Sequence, residues 1–234
     1  MIIKPECLLF DCMETVVDVI KIPDLRLYAW WAYNGSGYEY LWDSFDTFVD
    51  SYKEAKSRLE QSKHKYEEYN ITERFKIMLS NKLNEGFDSD KAATAIFRNY
   101  WGNYKENCYV DESVKYTLPY LSKKYKCGIL SNFMVMGGIE ELLKIHGIDK
   151  YFDFVVTSIN VGWKKPHPEV YNKALELAGT EKEQVLFIGD NYICDFDGPV
   201  KYGFQAVLLD KNDADTKAYK KIKQIKDLIN YLGQ

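Results

Sequence analysis

CLLFDCMETVVD, residues 7–18, is the stretch whose reading decides the fold. It opens on an apolar run, residues 7–10, that does not alternate and stops at a single carboxylate, Asp11. A strand with one wet face alternates. A short continuous apolar run reads as a strand covered on both faces, which is the pattern of a parallel sheet. Four more runs of this kind follow, at residues 127–130, 154–156, 185–188 and 206–209. Helical patterns lie between them at 113–124, 138–146, 168–178 and 198–202, the last three ended by Gly147, Gly179 and Gly203. Glycine just past the last helical turn is a common stop signal. Strands alternating with helices predict an α/β fold with a doubly wound, Rossmann-like parallel sheet.

The first two strands are not joined by one helix. Residues 17–109 read as an inserted helical bundle, which leaves 1–16 and 110–234 to the α/β core. Within the insertion, 41–62 carries Phe45, Phe48, Val49, Tyr52, Ala55 and Leu59 at three-to-four spacing, and 72–83 and 90–107 continue the period. Residues 24–42 are rich in aromatics: Tyr28, Trp30, Trp31, Tyr33, Tyr38, Tyr40 and Trp42. They suit helix packing or the wall of a substrate pocket, and residues 34–37, NGSG, are a turn signal. Near the C-terminus Lys211, Lys217, Lys220, Lys221, Lys223 and Lys226 alternate with Tyr219, Ile222, Ile225 and Leu228, which predicts a last helix with a solvated lysine face.

The chain has 234 residues, 46% hydrophobic and 28% charged, with a net charge of −4. That balance leaves no nucleic-acid footprint. Five cysteines, an odd number without a C-x-x-C pair, fit a reducing compartment better than a disulfide framework or a zinc site. No apolar run is long enough to span a bilayer and the start lacks a signal-peptide core, so the expected setting is cytoplasmic, without a membrane partner. Oligomeric state is not legible.

Ligands of open α/β sheets bind beyond the carboxyl ends of the strands. The residues there are Asp11 with Thr15, then Ser131 and Asn132, then Lys164 and Lys165 before Pro166, and finally Asp190 with Asp195 and Asp197 beyond it. This set suits phosphoryl transfer to a carboxylate. Mg²⁺ held by Asp11 and Asp190 would offset the repulsion between carboxylate and phosphate. A lysine and a hydroxyl would hold the phosphoryl oxygens. An aspartyl-phosphate would divide the reaction into two steps.

Four segments carry a family resemblance: LLFDCMET, GILSNF, GWKKPHPEVY and VLFIGDNYICDFDG. In this order they resemble the four motifs of the haloacid dehalogenase superfamily, in the subgroup with a helical cap inserted after the first motif. The resemblance covers nearly the whole chain. It implies Asp11 as nucleophile, and Mg²⁺ held by Asp11, Asp190 and the backbone carbonyl of Met13, with Asp195 supporting the metal. It implies Ser131 and Lys165 as phosphoryl-binding groups with Asn132 at the same edge, Thr15 bracing the first loop, and a small phosphorylated molecule as substrate. Lys164 is the alternative to Lys165. Asp197 reads as solvated or capping. His64 reads as lying on a lysine-rich helix face, His146 near a helix end, and His167 beside the lysine between two prolines.

The departure is Met13. Phosphatases of the family usually place a second Asp there as general acid and base. Three explanations stay open: a leaving group that needs no proton, as in dehalogenases that use the Asp as nucleophile; a substitute acid such as Glu14, Asp197 or a cap carboxylate; or a catalytically weak, ligand-binding protein.

Overall fold

The computed structural model describes residues 4–80, 82 and 86–233. The chain divides into two compact units, Met1–Val19 with Tyr109–Gln234, and Ile20–Cys108.

The first unit is built on a six-stranded sheet. Its strands are β1 (Cys7–Phe10), β4 (Lys126–Ser131), β5 (Phe154–Thr157), β6 (Val185–Gly189), β7 (Gln205–Leu209) and β8 (Lys221–Ile222). Two short strands, β2 (Asp18–Val19) and β3 (Cys108–Tyr109), stand where the chain enters and leaves the insertion. The sheet order is β5-β4-β1-β6-β7-β8 and every pairing is parallel. β1 is central: Leu8 lies between Cys127 and Leu186, and Phe10 between Ile129 and Ile188. Successive side chains of a strand point to opposite faces. Cys7 and Leu9 pack with α8 (Pro168–Ala178) through Val170, Tyr171 and Ala174. Leu8 and Phe10 on the other face are equally buried. Both faces are covered, which is why the run did not alternate. Gly128 in β4 stands opposite Phe154, and a Cβ there would come within 2.3 Å of the Phe154 ring, so the ring occupies the space a side chain would fill.

The other helices of this unit are α5 (Glu112–Leu121), α6 (Gly138–Ile145), α7 (Ser158–Val161), α9 (Gly198–Tyr202) and α10 (Leu228–Gly233). The lysine-faced helix expected over the last stretch is absent. Residues 211–220 form turns and bends, Lys221 and Ile222 form β8, and helix is confined to a 3₁₀ turn at Ile225–Asp227 followed by Leu228–Gly233. Aspartates explain the difference. The Asp210 carboxylate accepts the N–H groups of Ala214 and Asp215, each at 2.9 Å, and that of Asp215 accepts those of Lys217 and Ala218. Such side-chain bonds satisfy backbone donors that a helix would otherwise need. The lysines pair with aspartates instead of lining a helix: Lys221 donates to Asp210 and Asp213, Lys223 pairs with Asp213, and Lys211 pairs with Asp18.

The second unit consists of α1 (Leu25–Tyr33), α2 (Phe45–Ser62), α3 (Ile71–Ser80) and α4 (Ser89–Glu106). The pattern read from residue 41 starts at Phe45 because Ser44 and Thr47 form a capping box. The reading over 72–83 ends in residues 81 and 83, which lie outside the described residues. Phe48, Val49, Tyr52, Ala55 and Leu59 are all buried. The aromatic segment packs helices within this unit: Tyr28 stacks on Tyr104, Trp31 meets the same ring edge-on, Trp30 contacts Phe45 and Trp42 contacts Phe48. The Asn99 amide donates to the carbonyls of Trp31 and Asn34, satisfying the end of α1. His64 lies past the end of α2, not on a helix face, and its Nδ1 accepts the Tyr66 N–H. No helix among the described residues is long and apolar enough to cross a membrane.

Candidate active site

The site lies at the carboxyl ends of β4, β1 and β6. Asp11 follows β1, and its N–H donates to Ile188 O at 2.8 Å, which continues the ladder and fixes the start of the loop. Cys12 O then accepts the N–H groups of Val16 and Val17 at 2.8 and 2.9 Å, curling the chain tightly. Inside this curl Glu14 takes a left-handed conformation (φ 58°), unusual for a residue with a Cβ. Its carboxylate accepts the Val19 N–H at 3.0 Å. Burial raises the Glu14 pKa and that bond opposes the rise. Met13 is half-buried and bridges to Val17. Thr15 is buried, and its Oγ1 has no hydrogen-bond partner among the described residues.

Lys165 brings the site together. It is buried, and its ammonium donates to Asp11 Oδ1 at 2.7 Å, Asp195 Oδ1 at 2.7 Å and Leu130 O at 2.9 Å. An ammonium has three donors and all three are engaged. Burial works to lower the Lys165 pKa, but Asp11 and Asp195 overcome it and hold the group charged, above its ordinary value. Lys164 stays half-buried beside it. Ser131 ends β4, fully buried and in register with Thr157. The Asn132 side chain is turned to the Lys165 backbone: Oδ1 accepts the Lys165 N–H at 2.7 Å, and Nδ2 donates to Lys165 O at 3.2 Å. Sequence reading grouped Asn132 with the ligand-binding residues and missed this clamp, because its partner lies far along the chain.

β6 delivers Asp190, and the chain then makes a π-helical turn, Tyr192–Asp197. Asn191 caps it by accepting the N–H groups of Ile193 and Cys194. Asp195 folds back so that its Oδ2 accepts the Asn191 N–H at 3.0 Å. Only a glycine at 189 permits this, since a Cβ there would stand 2.5 Å from the Asp195 side chain. The Tyr171 hydroxyl donates to Cys194 O at 2.8 Å and ties the turn to α8. Asp197 points elsewhere and pairs with Lys201 at 2.7 Å. His167 caps α8 and stacks on Trp163 with ring centres 4.0 Å apart, while His146 caps the end of α6.

Asp11, Asp190 and Asp195 bring carboxylate oxygens within 4.8 Å of one another. One ammonium against three carboxylates leaves negative charge in excess. Burial pushes Asp195 up, opposed by Lys165. Asp190 keeps an exposed surface, yet the protein around its carboxylate, and then the charges of Asp11 and Asp195, push its pKa up to about 7. Crowded hard-oxygen donors with excess negative charge fit a hard divalent cation such as Mg²⁺.

The sequence profile described as haloacid dehalogenase-like hydrolase matches residues 39–209. The human haloacid dehalogenase-like hydrolase domain-containing protein 3 is 36% identical over 89 residues, 36% of this chain and 33% of that protein. Glyceraldehyde 3-phosphate phosphatase of Methanothermobacter thermautotrophicus is 30% identical over 120 residues, 46% of this chain and 53% of that protein. Pyrophosphatase PpaX of Bacillus cereus is 42% identical over 82 residues, 35% of this chain and 38% of that protein. The chain thus aligns with 33% to 53% of the length of these curated relatives. Among solved structures, a 2-haloacid dehalogenase from Pseudomonas syringae has a TM-score of 0.76 at 20% identity, covering 98% of both chains. A phosphatase from Thermococcus onnurineus has a TM-score of 0.70 at 20% identity, covering 99% of this chain and 98% of that one. The structural likenesses establish the fold, and the profile match over residues 39–209 establishes kinship: the chain belongs to the haloacid dehalogenase-like hydrolase family.

Proposed function

We propose that the chain is a Mg²⁺-dependent phosphatase of a small phosphorylated molecule, with Asp11 as the nucleophile. The observation that carries this reading is the convergence of Asp11, Asp190 and Asp195 around Lys165 at the mouth of a parallel sheet. Asp11, Asp190 and the Met13 carbonyl would hold the cation, with Asp195 supporting them, and the cation would offset the charge of an incoming phosphate. Lys165 engages Asp11 Oδ1, so Oδ2 is the oxygen left to attack phosphorus. Asn132 fixes the Lys165 backbone and thereby the direction of the ammonium. Ser131 and Thr15 offer hydroxyls at the same edge, and Thr15 Oγ1 is still without a partner. The product of the first step is an aspartyl-phosphate on Asp11, which water then hydrolyses.

Two relatives have names that speak of phosphate ester and pyrophosphate hydrolysis, which supports this reading. The five cysteines, none of them in a disulfide among the described residues, support a reducing, cytoplasmic setting. A second reading has one observation in its favour: the thioether of Met13 cannot protonate a leaving group, and a halide needs no proton. The chain would then be a dehalogenase with the same nucleophile. The acidic cluster weighs against it, because Asp190 would be left as an uncompensated charge. A screen of small phosphate esters and anhydrides with and without Mg²⁺, run beside chloride release from 2-chloropropionate, separates the two. Phosphate release that needs Mg²⁺ and is lost in Asp11→Asn supports the phosphatase; chloride release without Mg²⁺ supports the dehalogenase.

A further inference from the structure

We propose that Met13 makes this site selective for phosphoryl donors whose leaving oxygen departs without a proton, namely phosphoanhydrides and acyl phosphates, an inference that rests on the phosphatase reading. The α/β unit holds few groups near Asp11 that could give up a proton. Two residues past the nucleophile stands a thioether, which carries no proton. Glu14 beside it is bonded to the Val19 N–H. Asp18, a little further on, pairs with Lys211. Asp197, after the fourth strand-end motif, pairs with Lys201. Asp195 is held by Lys165 and by the Asn191 N–H. All three donors of Lys165 are engaged. The His167 Nδ1 accepts the Glu169 N–H, and its ring is stacked on Trp163. Each of these acids is already tied to another partner, and Asp190, the remaining carboxylate of the cluster, is the one that the cation would occupy.

The chemistry then depends on the leaving oxygen. An alkoxide is roughly as basic as hydroxide, far more so than a phenolate or a carboxylate. The conjugate acid of a phenolate has a pKa of about 10 and that of a carboxylate about 4. A phosphate leaving group is near 6. In the first step a bond forms between Asp11 Oδ2 and phosphorus, and the bond from phosphorus to the leaving oxygen breaks. The electron pair leaves with that oxygen. A carboxylate or phosphate is stable as the anion that results; an alkoxide is not. In the second step water oxygen bonds to phosphorus, the pair of the breaking bond returns to Asp11 as carboxylate, and the phosphate departs as dihydrogen phosphate with both protons of the water. No protein acid is needed in either step. Met13 also supplies no base to activate that water, so for a good donor the second step is the slow one and phosphorylated Asp11 accumulates.

The test uses the full chain with Mg²⁺ and three kinds of probe: acetyl phosphate and inorganic pyrophosphate, substituted phenyl phosphates of similar size, and glycerol phosphate. We expect kcat/KM to fall with the basicity of the leaving oxygen, by about 10²-fold or more from acetyl phosphate to glycerol phosphate, since a general acid is worth 10²–10⁴-fold. The phenyl series, matched in size, separates this from binding. We expect Met13→Asp to flatten the slope across the phenyl series and to raise glycerol phosphate turnover at least ~10-fold, and Met13→Leu to keep the slope steep. Equal kcat/KM across the wild-type phenyl series would overturn the inference while leaving the phosphatase reading intact. A steep slope that Met13→Asp leaves unchanged in a folded protein would also overturn the role of Met13. Should Met13→Asp not fold, the wild-type slope and the Met13→Leu slope decide. Absence of phosphate release from every probe would overturn the phosphatase reading itself.

Discussion

Asp11 and Lys165 are 154 positions apart in sequence and 2.7 Å apart in the structure. The lysine shares its charge between Asp11 and Asp195 where water cannot reach it. Such a group is worth most when it is removed, because the carboxylates left behind are buried and unpaired. Lys165→Met should cost about 3–5 kcal/mol in denaturant unfolding and abolish turnover. Unfolding within about 1 kcal/mol of wild type would mean that solvent, and not Lys165, compensates the two carboxylates. Asp190 has the opposite signature. Its pKa stands at about 7 in the folded chain and near the ordinary carboxylate value in the unfolded chain. Between about pH 4 and 7 the folded state therefore binds more protons, and stability falls as pH rises. Metal-free protein should lose stability across this window, most steeply between about pH 5 and 6 and levelling off as pH passes 7, and Asp190→Asn should remove the slope. A metal-free protein that gains stability from pH 5 to 8 would contradict the assigned crowding of acids.

At the scale of elements, legibility followed the physical kind of signal. β1, α8 and α9 were readable from their apolar runs, proline starts and glycine stops, because those signals are local. β8 was not. A two-residue strand has no period to detect, and the lysines around it imitated a helix face. What sets that region is Asp210, whose carboxylate holds two backbone donors and Lys221 together. Asp210→Ala should destabilise the chain by about 1–3 kcal/mol, and amide exchange should show the loss concentrated in residues 211–222. Uniform loss across the sheet would mean that Asp210 acts through global stability and not through this turn. The same limit hid the Asn132 clamp and the Asn191 cap. Each is a side-chain amide bonded to backbone, and composition does not distinguish it from an amide reserved for ligand.

At the scale of the whole molecule, five of the strand runs were legible and so was the interruption after the first. The residues that strand-end reasoning gathers, Asp11, Lys165, Asp190 and Asp195, do meet. The aromatic stretch from Tyr28 to Trp42 was ambiguous because packing and ligand binding use the same residue types, and much of it packs the helices of the inserted unit against one another. The central claim is that Asp11 attacks phosphorus, and its most direct test is chemical. The full chain is mixed with acetyl phosphate and Mg²⁺, quenched in acid within one turnover, and digested for mass spectrometry. One phosphoryl group is expected on the peptide bearing Asp11, labile to hydroxylamine, and none in Asp11→Asn. Phosphate release that continues in Asp11→Asn, or a phosphoryl group found on another residue, would contradict it.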